Sequence, residues 1–279
     1  MAIVPFEIGV CSWSLQATSI PELVSRCGQV GVNLVQLACG DPHHARWAEG
    51  EDFPAAARAA ALRYSGTMIG FPGEDYTTPR HIETSGGFGP VERREERLGI
   101  LRWAIARTVA LGLQEITCHG GFIPASDGPA RTAFLRTLAR AAALAAESGV
   151  TLALETGQET AALLRRTLDE LRLPNLGVNF DPANMLLYNM GDPIAALDAL
   201  APYLRSVHLK DAFPPTEPGA WGTETPLGAG TVNIPRFVRT LKDIGFRGPL
   251  MVEREAGDLD ARLRDITHAV RFLAERQDD

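Results

Sequence analysis

The sequence lacks the signals of secreted, membrane and nucleic-acid-binding proteins. Its four cysteines form no C-x-x-C pair, which argues against a disulfide framework or a zinc knuckle. A net charge of −7 provides no general affinity for nucleic acid or for an anionic membrane. Positions 1–10 carry no basic segment followed by an apolar one, and the most apolar helical pattern, 138–146, is too short to span a bilayer. We therefore expect a cytoplasmic protein with buried thiols.

Short apolar runs alternate with amphipathic helical patterns along all 279 residues. Eight of these runs predict strands, at 6–13, 34–39, 64–71, 115–121, 151–156, 176–181, 206–211 and 249–255. Continuous apolar strands separated by helices indicate a parallel sheet that is covered on both faces. Eight such units in a chain of this length predict a single (β/α)8 barrel domain over residues 1–279.

Two predicted connections, 72–90 and 213–232, are long and rich in glycine and proline. Both follow the carboxyl ends of strands, so both are expected over the mouth of the barrel. This composition suits mobile binding loops or lids, although surface insertions without a function have similar sequences.

Several predicted strands end in a carboxylate or an imidazole. In the stretch LGVNFDPANM (176–185), an apolar run ends at Asp181, and Pro182 prevents the strand from continuing. Similar strand ends carry His119, Glu155, His208 and Glu253. Because active sites of (β/α)8 barrels lie at the carboxyl ends of the strands, we expect these side chains to converge.

Carboxylates that lie close together repel one another, and burial removes the water that would screen them. A divalent cation would neutralise that repulsion. Three carboxylates and one imidazole suit Mn²⁺, Co²⁺, Fe²⁺, Mg²⁺ or a mixed-ligand Zn²⁺ site. We therefore predict that Asp181 and its neighbours bind a metal. For each carboxylate taken singly, an ion pair with Lys210 or Arg254 is the alternative.

The other histidines carry weaker signals. His119 is expected in the site, either beside the metal or against the substrate, and a buried structural role is its alternative. His43 and His44 follow the second strand and are candidates for the edge of the site. His81 lies in a long loop, and His268 in the last helix is expected to be structural.

The strand ends lie in motifs that resemble the sugar phosphate isomerase/epimerase group of the xylose-isomerase-like TIM barrels. The motifs are LALETG, NFDPAN, VHLKD, PLGAGTVNIPRFVRTLKDIGFRGPL and VERE. The resemblance extends from FEIGVCSW to the last helix. It is specific for the superfamily and a poor guide to the substrate.

In the ketose 3-epimerases of this superfamily, a Glu, an Asp, a His and a Glu hold one metal ion. The resemblance implies that the ligands here are Glu155, Asp181, His208 and Glu253. It also implies that Glu155 and Glu253 move a proton at the carbon beside a carbonyl, through an enediolate that the metal stabilises. Mn²⁺ is the expected ion, and a ketose, keto-glycoside or similar polyol is the expected substrate.

The sequence departs from those epimerases around the substrate. Asn184 stands where they have a substrate-binding His, and Lys210 is expected to replace an Arg that has no match in DAFPP. Glu159, in the loop after Glu155, is a further candidate contact with the sugar. Trp13 and Trp221 are candidates for stacking on the sugar, with ordinary packing as the alternative.

Other functions stay open at this level. Inosose dehydratases and enzymes acting on 3-keto-glycosides share the enolate step but eliminate a group. A DNA-repair endonuclease shares the fold, but it needs a histidine where Asn184 stands, and an acidic chain suits duplex binding poorly. A metal-free binding protein, a homo-oligomer or a subunit of a larger complex is also compatible with the sequence.

The glycine pairs Gly120-Gly121 and Gly228-x-Gly230 favour tight turns over an anion site, and the sequence has no Walker-type loop. We therefore expect an unphosphorylated sugar or cyclitol as the substrate.

Overall fold

Eight parallel strands close into a barrel in the computed structural model, which describes residues 6–40 and 45–275. The barrel strands are β1 Ile8–Cys11, β2 Leu34–Ala38, β3 Arg63–Met68, β4 Glu115–His119, β5 Thr151–Glu155, β6 Leu176–Phe180, β7 Leu204–Leu209 and β10 Leu250–Val252. They neighbour one another in the order β1-β10-β7-β6-β5-β4-β3-β2. The predicted (β/α)8 barrel is therefore confirmed. His43 and His44 lie outside the described residues.

Ten helices surround the barrel in these two ranges of the chain. They are α1 Ile20–Val30, α2 Phe53–Ala59, α3 Pro79–Ser85, α4 Arg94–Ala110, α5 Pro129–Ala146, α6 Ala161–Leu171, α7 Pro182–Leu187, α8 Pro193–Leu200, α9 Ile234–Asp243 and α10 Leu259–Glu275. Their starts follow local sequence. The Ser19 side chain caps α1, and Asn233 caps α9, each by accepting a hydrogen bond from a backbone N–H of the first turn. None of these helices is long and apolar enough to cross a membrane.

The first and last barrel strands are shorter than predicted. β1 stops at Cys11 because Ser12–Leu15 form a short 3₁₀ helix. Its Ser12 and Ser14 hydroxyls accept hydrogen bonds from the backbone N–H groups of Ala38 and Arg254, each at 2.9 Å. These contacts join the carboxyl ends of β1, β2 and β10, so the chain turns at the rim where the strands were expected to continue.

The two long connections contain regular structure. Helix α3 lies in the 72–90 segment, where Thr78 caps it and Pro79 opens it. In the 213–232 segment, Thr223–Thr225 forms a strand, β9, which pairs antiparallel with β8 (Asp211–Phe213). Both segments follow strands at the carboxyl rim, and that rim also carries the predicted site residues.

The four cysteines are buried, and none of them forms a disulfide. Burial raises the pKa of Cys11 and of Cys27 to about 12, so these thiols stay protonated at neutral pH. This agrees with the expectation of buried thiols.

Candidate active site

Four buried side chains from consecutive barrel strands converge at the carboxyl rim. Glu155 ends β5, Asp181 follows β6, His208 lies in β7, and Glu253 follows β10. Each is at most 4% exposed. One potential ligand atom from each residue lies within 4.8 Å of those of the other three. The structure thus brings together all four residues that the sequence nominated as metal ligands.

Asp181 is held in place by the turn that ends its strand. Pro182 starts α7 directly after it, and Asp181 becomes the N-cap of that helix. Its Oδ1 accepts hydrogen bonds from the backbone N–H groups of Ala183 (2.8 Å) and Asn184 (3.1 Å). The Thr156 hydroxyl binds both the N–H and the C=O of Asp181. One carboxylate oxygen is therefore anchored. The other, Oδ2, is free to face the cluster of Glu155, Asp181, His208 and Glu253, which we call the centre.

Glu155 lies beside two imidazoles. Its Oε1 is 3.0 Å from His208 Nδ1 and accepts a hydrogen bond from Asn184 Nδ2 at 3.1 Å. Its Oε2 is 3.5 Å from Nε2 of His119. Burial would raise the pKa of Glu155, but the charges of His119 and His208 lower it below its ordinary value. Glu155 is thus kept ionised.

Glu253 is held between an indole and an ammonium group. Trp13 Nε1 donates a hydrogen bond of 2.6 Å to Glu253 Oε1, while Lys210 Nζ lies 2.7 Å from Oε2. Burial would raise the pKa of Glu253, but Lys210 and His208 lower it well below its ordinary value. Glu253 is therefore an ionised carboxylate with one oxygen oriented by Trp13.

Lys210 connects the centre to the cavity above it. Besides Glu253, its Nζ lies 3.2 Å from Asp181 Oδ2 and 3.1 Å from Glu255 Oε2. Burial would lower the pKa of Lys210, but these three carboxylates raise it well above its ordinary value. A fixed cation therefore already neutralises part of the negative charge.

The two remaining members of the centre hold protons at neutral pH. Burial raises the pKa of Asp181 to about 8, although Lys210 lies beside it. Burial would lower the pKa of His208, but its acidic neighbours, Glu155 and Glu253 among them, raise it well above its ordinary value. A cation that binds here must therefore displace protons.

The donor set fits a divalent metal ion. Glu155 Oε2, Asp181 Oδ2 and Glu253 Oε2 are buried and accept no hydrogen bond of regular geometry, so His119 and Lys210 reach them only as ion-pair contacts. Buried carboxylate oxygens without hydrogen bonds are costly unless a cation binds them. Three carboxylates and an imidazole suit Mn²⁺ and similar ions better than thiolate-preferring metals.

A cavity of about 350 Å³ opens above the centre. Its floor is polar. Its roof is formed by Tyr76 and Trp221 from the two long connections, and by Leu187 and Tyr188 at the end of α7. The lining residues are Met68, Tyr76, His119, Glu155, Asn184, Leu187, Tyr188, Lys210, Trp221, Glu253 and Glu255. This volume lies at the lower end of the range for small-molecule sites, so the cavity suits a small ligand.

The roof joins the two long connections. Trp221 Nε1 donates a hydrogen bond of 3.1 Å to the backbone oxygen of Tyr76, and the rings of Trp221 and Tyr188 meet edge-on with centroids 4.7 Å apart. The 72–90 and 213–232 segments therefore meet over the cavity, where the sequence placed them.

Four of the six predicted substrate-binding residues line the cavity: His119, Asn184, Lys210 and Trp221. Trp13 is 5% exposed and packs with its ring 5.7 Å from that of His208, so it supports the centre from below instead of facing the cavity. Glu159 is buried and is not among the lining residues. Neither of these two predicted sugar contacts lines the cavity.

Arg254, named as a possible ion-pair partner of the carboxylates, lies away from the centre, as do the two histidines with weak signals, His81 and His268. Arg254 pairs with Glu224 (2.6 Å) and Asp265 (2.9 Å) instead of a centre carboxylate. His81 is exposed in α3, and His268 packs against Phe272 in α10.

The predicted tight turn at Gly228-x-Gly230 is confirmed. The N–H groups of Gly228 and Gly230 both donate to Asp211 Oδ2 at 3.0 Å. Because Asp211 already satisfies these donors, the turn offers them to no phosphate. Asp211, the last residue of the VHLKD motif, thus shapes the connection over the cavity.

Sequence reasoning missed several residues of the site. Gln36, buried in β2, contacts His208 through its side chain. Tyr76, Leu187 and Tyr188 form the cavity roof, and Glu255 pairs with Lys210. The second carboxylate of the VERE motif was a readable signal for Glu255. A buried glutamine in an apolar strand was the signal for Gln36.

The chain belongs to the xylose isomerase-like TIM barrel family, whose model matches residues 24–276. No curated protein sequence matches it. A xylose isomerase domain protein from Planctomyces limnophilus is 33% identical, with a TM-score of 0.89 and 98% of each chain covered.

More distant structures share the fold. A D-allulose 3-epimerase from Methylomonas sp. in complex with D-allulose is 20% identical, with a TM-score of 0.67 and 99% of each chain covered. A xylose isomerase-like TIM barrel protein from Mycobacterium smegmatis in complex with magnesium is 16% identical, with a TM-score of 0.71 and 98% of each chain covered.

Proposed function

We propose that the protein is a metal-dependent sugar isomerase or epimerase that moves a proton at a carbon beside a carbonyl group. The observation that carries this proposal is the convergence of Glu155, Asp181, His208 and Glu253 beneath a small cavity. The family membership and the structures similar to the chain support it. Glu155, Asp181, His208 and Glu253 would hold the ion, for which Mn²⁺ is the first choice.

Glu155 and Glu253 are the proposed acid/base pair. Each has one oxygen anchored, by Asn184 in one case and by Trp13 in the other, and a second oxygen without a regular hydrogen bond. Both line the cavity and are kept ionised by neighbouring cations, so each can accept a proton. If the two carboxylates face opposite sides of the substrate carbon, one removes the proton and the other returns it, which inverts that carbon.

A divalent ion in this position supplies a Lewis acid that polarises the carbonyl oxygen. The remaining polar groups of the cavity would bind hydroxyl groups. Asn184 Nδ2 and Lys210 Nζ are donors on one wall, and the Glu255 carboxylate is an acceptor. The aromatic roof of Tyr76, Tyr188 and Trp221 would exclude water while the substrate is bound.

The cavity favours a substrate without a phosphate group. Among the residues that line it, Lys210 and His119 are the basic ones, and both already lie beside carboxylates. No arginine of the described chain lines the cavity. An unphosphorylated ketose, keto-glycoside or cyclitol is therefore the proposed substrate class.

Proton NMR in D₂O tests the proposal. The protein is stripped with EDTA, reloaded with Mg²⁺ or Mn²⁺, and offered ketoses, inososes and 3-keto-glycosides. Metal-dependent deuterium uptake beside the carbonyl is expected, with its loss in Glu253→Gln and its retention in the matched surface variant Glu92→Gln. Net loss of water or of an aglycone would assign a lyase instead. Absence of exchange with every compound, despite metal binding, would refute an enzyme that acts alone on these substrates.

A further inference from the structure

Gln36 contacts the centre from a strand that contributes no ligand. It is 1% exposed in β2, and its Oε1 lies within hydrogen-bond distance of His208 Nε2. Two strands, β1 and β10, separate β2 from β7 in the barrel order, so this contact crosses the barrel interior. The opposite ring nitrogen, Nδ1, faces Glu155 Oε1 at 3.0 Å and Glu253 Oε2 at 3.5 Å. The two nitrogens of His208 therefore face different partners.

Side chains of β1 and β4 hold the Gln36 amide in its orientation. Its Nε2 donates a hydrogen bond of 3.2 Å to Thr117 Oγ1 in β4, and Cys11 Sγ in β1 lies 3.8 Å from its Oε1. The register of β2 with β3 shifts between Val35 and Gln36. Such an irregularity re-aims the side chain that follows it. The amide thus turns its carbonyl oxygen, which is only an acceptor, toward His208.

We propose that Gln36 is a positioning residue that fixes the tautomer and the ring orientation of His208. The Gln36 carbonyl accepts the hydrogen bond of the Nε2–H, which leaves Nδ1 on the side of Glu155 and Glu253, where its lone pair would face a cation held by these carboxylates. A ligating histidine characteristically donates its other ring N–H to such an oxygen. This inference rests on the metal-dependent function proposed above, and it assigns Nδ1 as the ligand atom of His208.

Substitution of Gln36 separates this role from simple packing. Gln36→Met keeps a similar volume and removes the acceptor, while Gln36→Glu keeps an acceptor oxygen. We expect Mn²⁺ to bind EDTA-stripped Gln36→Met about 10- to 100-fold more weakly than the wild type. Gln36→Glu should bind Mn²⁺ at least as tightly as the wild type. Thr117→Val, which removes the contact that orients the amide, should cause a smaller loss that still exceeds about threefold.

The tautomer has its own spectroscopic readout. In ¹⁵N-histidine-labelled, Mg²⁺-loaded wild type, one His208 ring nitrogen should carry a proton, and that nitrogen should be Nε2. A proton on Nδ1 in the loaded protein would overturn the inference. An Mn²⁺ affinity of Gln36→Met within about threefold of the wild-type affinity would also overturn it. If Gln36→Met does not fold, the same result in Thr117→Val would overturn it.

The outcomes also separate this inference from the proposed function. If Gln36→Met binds Mn²⁺ more weakly but the wild type exchanges no substrate proton, the role of Gln36 is supported and the proposed reaction is refuted. Failure of the wild type to bind Mn²⁺ would overturn both.

Discussion

Replacement of Lys210 by Met removes an ammonium group from the carboxylates of the centre. The Nζ lies 2.7 Å from Glu253 Oε2 and 3.2 Å from Asp181 Oδ2, and all three side chains are at most 4% exposed. Loss of one partner from a buried ion pair costs about 3–5 kcal/mol. Because the pKa of Asp181 is raised to about 8, its carboxyl can stay protonated and reduce the cost to the lower end of that range.

A loss of about 3 kcal/mol should lower the midpoint of thermal unfolding by roughly 6–12 °C in a chain of this size. Circular dichroism of EDTA-stripped protein measures this shift. Lys242→Met, in the last turn of α9, makes the same chemical change away from the centre and serves as the control.

A divalent ion should reverse the defect. In the wild type, an incoming ion meets the charge of Lys210, whereas in Lys210→Met this repulsion is absent. We therefore expect Mn²⁺ to bind the variant at least about tenfold more tightly and to raise its unfolding midpoint more than that of the wild type. Turnover should nevertheless fall, because Lys210 lines the cavity.

Two results would refute this reasoning. One is a metal-free Lys210→Met that unfolds at the wild-type midpoint, which would mean that Lys210 does not neutralise the centre. The other is weaker Mn²⁺ binding in the variant, which would make Lys210 part of the metal site's support.

Three further predictions follow from the same geometry. Mn²⁺ affinity should rise between pH 6 and 8, because Asp181 (pKa about 8) and His208 must release protons to bind the ion, and calorimetry in buffers of different ionisation enthalpy should detect that release. Burial raises the pKa of Glu159 from 4.5 to about 8, so its contribution to stability is complete below pH 4.5 and is lost as the pH rises through 8. In urea unfolding, the free energy of unfolding of Glu159→Gln should therefore rise relative to that of the wild type by up to a few kcal/mol between pH 5 and pH 8. The same difference between the two proteins at both pH values would contradict this. Trp221→Phe loses the hydrogen bond to the backbone carbonyl of Tyr76, so it should lower the free energy of unfolding by less than about 1.5 kcal/mol. Limited proteolysis should nevertheless cleave the 72–90 segment faster in this variant. An unchanged cleavage rate would show that the roof does not depend on this bond.

Sequence patterns predicted the parts of the fold that depend on local order. Apolar runs and helix signals were sufficient for the eight barrel strands, because each strand is buried by its own neighbouring helices. Strand β9 was missed because three residues, Thr223–Thr225, in a segment rich in proline and glycine carry no periodic pattern. Helix α3 was missed for a related reason: its Thr78-Pro79 start lies within loop-like sequence.

The candidate site was predictable where it depends on topology. Parallel strands bring their carboxyl ends to one rim, so strand-end carboxylates had to meet there. The direction in which a side chain points depends on packing between strands that are distant in sequence, so local sequence patterns do not predict it. Trp13 was a candidate either for stacking on the sugar or for packing, and its indole N–H donates to Glu253. Gln36 reaches His208 across 172 positions of sequence.

The measurement that tests the account most directly is a calorimetric titration of EDTA-stripped protein with Mn²⁺, in the wild type and in Asp181→Asn. Asp243→Asn, on the exposed end of α9, is the matched control. The account predicts one ion per chain in the wild type and in the control, and an affinity roughly 100-fold lower or worse in Asp181→Asn. Absence of binding in the wild type, or unchanged affinity in Asp181→Asn, would contradict the claim that these four side chains form a metal site.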